Sequence, residues 1–131
     1  MRKLILISGA VMALVVASSA SSKAVAGPWE DGMASYNRGD YAPAINLFRP
    51  LAQAGNAKAQ SIMGVMYRKG QGVGPSSARA FMWLSIAAAR GDAKAKAELR
   101  GVSREMTPAE MAQAKEMMQA CEASNYRDCG Y

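Results

Sequence analysis

A chain of 131 residues has room for one domain and a leader, and it contains no histidine. That absence removes histidine-based triads, histidine general bases and most zinc sites. The net charge of +6 is also less informative than it looks: Arg2, Lys3 and Lys23 all fall within the first 26 residues, where no acidic residue offsets them.

Those 26 residues read as a secretory leader. Arg2 and Lys3 form a basic start, residues 4–17 are an uncharged apolar run, and Ala24, Val25 and Ala26 supply the small side chains of a cleavage site. Fourteen residues span about 21 Å as helix, short of a hydrocarbon core of about 30 Å. Length therefore favours a cleaved signal over an uncleaved anchor. No cysteine precedes Cys121, which excludes a lipid anchor through cysteine. The expected mature domain is 27–131, carrying 13 basic and 10 acidic residues, a net of +3. So modest an excess on an exported chain gives no reason to expect nucleic acid as a partner.

The mature part favours Ala, Met, Leu, Gln and Arg over Val, Ile and Thr, and shows no sustained strand alternation. An all-α domain is expected. A first helix spans about 29–37 and stops at Gly39. Asp40 is placed to cap a second, 41–54, which tolerates Pro43 in its first turn, kinks at Pro50 and ends at Gly55. Asn56 caps a third, 57–69, whose core face is Ala59, Ile62, Met63, Met66 and Tyr67. Ser76 caps a fourth, burying Ala80, Phe81, Trp83, Leu84, Ala87 and Ala88, and Asp92 caps a shorter fifth that ends at Gly101. Thr107, Pro108 and Glu110 then open a sixth with a capping box, and Met106 and Met111 are spaced as its hydrophobic staple.

The chain repeats itself. Ala54-Gly55-Asn56-Ala57-Lys58-Ala59 returns 36 residues later as Arg90-Gly91-Asp92-Ala93-Lys94-Ala95. The same offset pairs Ala44 with Ala80, Leu47 with Trp83 and Ala52 with Ala88, while Tyr36 and Gly39 match Tyr67 and Gly70 at 31. An insertion around 71–75 accounts for the difference. A period of this length in paired helices signals a solenoid.

Here the sequence resembles the Sel1-like family of TPR-like helical repeats. The residues that carry the resemblance are Ala59, Gly64, Tyr67, Gly70, Gly72, Ala80, Trp83, Ala87, Ala88 and Gly91. Gly64 would admit a close helix approach, Gly70 and Gly72 the turn angles, and Tyr67 and Trp83 the wedges between paired helices. Met63 stands where the family usually has Leu, and Ser76 where it usually has an acidic cap. Residues 31–55 resemble a degenerate opening repeat, 56–102 a full repeat with the following helix, and 103–131 a capping helix and tail. The resemblance implies a short α-solenoid that binds a protein or peptide, with no catalytic residues, cofactor or metal. It also implies a partner face on the first helix of each unit, where Ser35, Arg38, Ser61, Val65 and Arg68 are expected to be exposed.

The sixth helix is expected to cover the last open face, the competing reading being a Met-rich surface for a partner helix. Cys121 and Cys129 are the only cysteines, and in an exported chain they are expected to be bonded; a redox role lacks the close CxxC spacing. The Gly-rich run 70–74 has no preceding strand and no following lysine, so it reads as a turn. A carboxylate pair assembled from Glu30, Asp31 or Glu122 has no supporting spacing. The expectation is a periplasmic or secreted adaptor. A structural or stress-related envelope component touching peptidoglycan or membrane is the alternative, ahead of a wall-acting enzyme.

Overall fold

The computed structural model describes residues 26–130, so the expected leader lies, but for Ala26, outside the described residues. Within them the fold is all-α, with six helices and no strand: α1 (Pro28–Asn37), α2 (Tyr41–Gln53), α3 (Ala57–Lys69), α4 (Ser77–Ala89), α5 (Ala93–Glu105) and α6 (Pro108–Ala123). The starts follow the sequence closely. Asn56, Ser76 and Asp92 each accept a hydrogen bond from the backbone N–H three residues on, at 3.0, 3.2 and 2.7 Å. Thr107 and Glu110 complete the expected capping box. Asp40 occupies its cap position differently: its carboxylate turns back to Arg38 and makes no capping bond.

Two ends differ from expectation. α2 runs through Pro50, whose missing N–H costs it one backbone bond, and stops at Gln53. α5 passes Gly101 and continues to Glu105. Gly101 is a notch: a β-carbon there would lie 2.9 Å from both terminal guanidinium nitrogens of Arg68. The glycine that reads as a stop signal is a recess for a side chain from α3.

α1 packs on α2, α2 on α3, α3 on α4, and α4 on both α5 and α6, with a lighter contact between α3 and α5. Gly64 brings α3 against α4 so closely that a β-carbon would stand 2.5 Å from Leu84 Cγ. Gly32 does the same for α1 over the Phe48 ring. Phe48, Met63, Met66, Met82, Trp83, Leu84 and Val102 are fully buried at the centre. Met82 and Ile86 join the core from α4, whereas Phe81 and Ala88 only flank it.

α6 runs parallel to α4. Glu110 and Gln113 at its start sit by Ser76 and Ala78, and Tyr126, just past its end, meets Arg90, just past the end of α4. The tail then returns. Cys129 bonds to Cys121, and the Gly130 carbonyl accepts a hydrogen bond from Arg79 Nε near the start of α4.

Candidate functional site

The row expected to face a partner does not form a surface. Residues 59 to 67 of α3 are all buried, because α2, α4 and α5 pack around that helix. Ser61 and Val65 are each only 2% exposed, and Ser35 only 6%. Their expected exposure is therefore corrected. The amphipathic assumption of one solvent face fails for a helix with neighbours on three sides.

The two arginines of that row are engaged as well. Arg38 is exposed and pairs with Asp40 at 3.2 Å, with a longer contact from its Nη2 to the Ser35 hydroxyl. Arg68 bridges two carboxylates of α5, donating to Glu98 at 2.9 Å and to Glu105 at 2.6 Å. Glu105's hydrogen bond raises the Arg68 pKa above its ordinary value, against desolvation, with Glu98 adding to it. Glu105 is held below the usual carboxylate value by the same bond. This is a clasp between α3 and α5.

An open groove does exist, displaced toward the other end of α3. It encloses about 270 Å³ between α1, the start of α3 and the start of α5. Trp29 and Met33 of α1 with Ile62 of α3 make its apolar wall. Trp29 is braced from behind by Phe48, with ring centroids 5.3 Å apart. Lys58, Asp92 and Lys94 line the rim, and both lysines are exposed. Ser61 completes the lining, and its hydroxyl is buried with no hydrogen-bond partner.

Lys58 and Lys94 occupy the same place in the 36-residue repeat, two positions after the capping Asn56 and Asp92. Each therefore stands in the first turn of its helix, and neither first turn contains an acidic residue. A cation there opposes the helix dipole at a cost of about 0.3–1 kcal/mol. Helix stability would favour Asp or Glu, so the twin lysines ask for an explanation outside the helix. Of the five residues expected to face a partner, only Ser61 reaches this groove. For Lys58 and Lys94 a sequence signal was available: a lysine recurring in register at two helix starts.

No family model matches this chain, and neither does any curated protein or solved structure. Ala59, Gly64, Tyr67, Ala80, Trp83 and Ala87 are buried, Ala88 is half-buried, and Gly70, Gly72 and Gly91 all have positive φ.

A second cavity, about 300 Å³ beside the start of α4, is lined by Arg68, Ser76 and Glu110 among others. Those three are already engaged, Arg68 in the clasp and Ser76 and Glu110 in two helix caps. Among the described residues no group of three or more Cys, Asp or Glu could hold a metal, and no helix is long and apolar enough to cross a membrane.

Proposed function

We propose that this chain is an exported, non-catalytic module that binds a protein or peptide segment in the groove between α1, α3 and α5. The observation that carries the reading is the groove itself: a preformed apolar wall, a cationic rim at repeat-equivalent positions and an unengaged buried hydroxyl. Few convergent polar groups on an apolar recess are what ligand sites have in common. The Sel1-like pattern from Ala59 to Gly91 supports the same reading, because consecutive first helices line the inner face of such a solenoid. On this reading α1, α3 and α5 are the first helices and α6 is the cap on α4. The apolar run of the leader supports export, and a bonded Cys121–Cys129 pair is compatible with an oxidising compartment.

Site-specific photocrosslinking in an envelope fraction tests this. A photoreactive residue replacing Lys58 should give a discrete polypeptide adduct, and one replacing Lys115, exposed on α6, should not. Adducts from position 115 alone would move the contact surface to the terminal helix. Sedimentation with cell-wall sacculi and no polypeptide adduct would favour an envelope component instead.

A further inference from the structure

We infer that the groove recognises the free C-terminal carboxylate of a peptide whose last residue is apolar. The inference rests on the binding reading above and names the chemistry of the ligand.

Charge comes first. Lys58 and Lys94 put two ammonium groups on one groove, each at a helix N-terminus whose dipole adds positive potential. An anion seated between them relieves the unfavourable placement of both lysines. Asp92 lines the same groove, with one carboxylate oxygen occupied in capping Ala95. Its negative charge leaves room for a single compensated carboxylate and penalises an acidic run.

The hydroxyl comes second. Ser61 Oγ is buried without a partner, and a buried hydroxyl left unmade costs about 1–3 kcal/mol. A carboxylate oxygen in the groove accepts its proton and removes that cost.

The apolar wall then decides between carboxylates. An Asp or Glu side chain carries its carboxylate on only one or two methylene groups, too little apolar surface to cover that wall. A chain terminus carries its carboxylate on the same carbon as the last side chain, so the anion meets Lys58, Ser61 and Lys94 while that side chain rests on Trp29, Met33 and Ile62. The limited volume, about 270 Å³, suits one or two residues and not a whole helix.

The test uses the purified, disulfide-bonded protein and a hexapeptide pool randomised at five positions and ending in Leu, made as free acid and as amide. Binding is read by calorimetry and by Trp29 emission. The free acid should bind at least about tenfold tighter, because the amide loses both charge-assisted contacts. Lys58→Gln and Lys94→Gln should each weaken the acid about fivefold, the upper end for exposed ion pairs. Ser61→Ala should weaken it several-fold while leaving the melting temperature unchanged or raised, since the hydroxyl makes no bond in the free protein. Lys115→Gln should change nothing. Equal binding of acid and amide overturns the terminus assignment and leaves the groove as a peptide site. No binding of either pool by folded protein overturns both.

Discussion

A β-carbon built on Gly72 would lie 2.6 Å from the Tyr41 carbonyl carbon, and the residue has φ +73°. Any side chain there meets both backbone strain and the start of α2. Gly72→Val should lower stability by at least about 2 kcal/mol, whereas the exposed change Lys69→Gln should stay within about 0.5 kcal/mol. Urea denaturation of the two variants compares them directly, and equal midpoints would mean the turn is more pliable than its contacts imply. Val65 is the second test at this scale. Read as an exposed contact residue it would tolerate aspartate, but at 2% exposure the carboxylate enters the core. Val65→Asp should cost roughly 3 kcal/mol or more or prevent folding, seen as loss of a cooperative melt. Its neighbour Ile62, 5% exposed, shares that core and also lines the groove, a distinction that apolar character alone does not reveal.

Between elements, the Arg68 clasp gives α5 its register on α3. Gly101 makes the recess, and Glu98 and Glu105 flank it at positions −3 and +4. Gly101→Ala would press a methyl group into the guanidinium and should loosen both ion pairs. The pH dependence has a defined sign. Glu105 titrates below its ordinary value of 4.5 because Arg68 hydrogen-bonds the charged form. As pH falls the unfolded chain takes up this proton first, so the clasp's contribution is intact above about 4.5 and disappears as pH drops through the lowered value. Melting curves of the wild type and Glu105→Gln should differ slightly at pH 6, Glu105 being largely exposed, and converge once the pH falls below that lowered value. The starts of α3 to α6 were legible, since Asn56, Ser76, Asp92 and Thr107 carry local chemistry that fixes them. The end of α5 was not, because Gly101 answers to a side chain 33 positions away. The groove was half legible for the same reason: the twin lysines announce themselves by register, but Trp29 joins them only once α1 has docked.

For the molecule as a whole, the Cys121–Cys129 bond closes a small ring at the end of α6 with both cysteines buried, and Arg79 and Arg90 hold the tail to the two ends of α4. A loop of this size is worth roughly 2–3 kcal/mol in the chain-entropy model. Reduction should therefore lower the unfolding free energy by that much without dissolving the fold, as denaturant titration with and without reductant would show. The two tryptophans divide between interior and site: Trp83 is wholly buried, and Trp29 stands part-exposed on the groove wall. The chain thus carries a built-in pair of lamps, one shielded and one facing the entrance. Iodide should extinguish one emission component, red-shifted by contact with water, and spare the other. Whatever settles in the groove should protect the first lamp and leave the second unchanged, so occupancy can be followed by light alone.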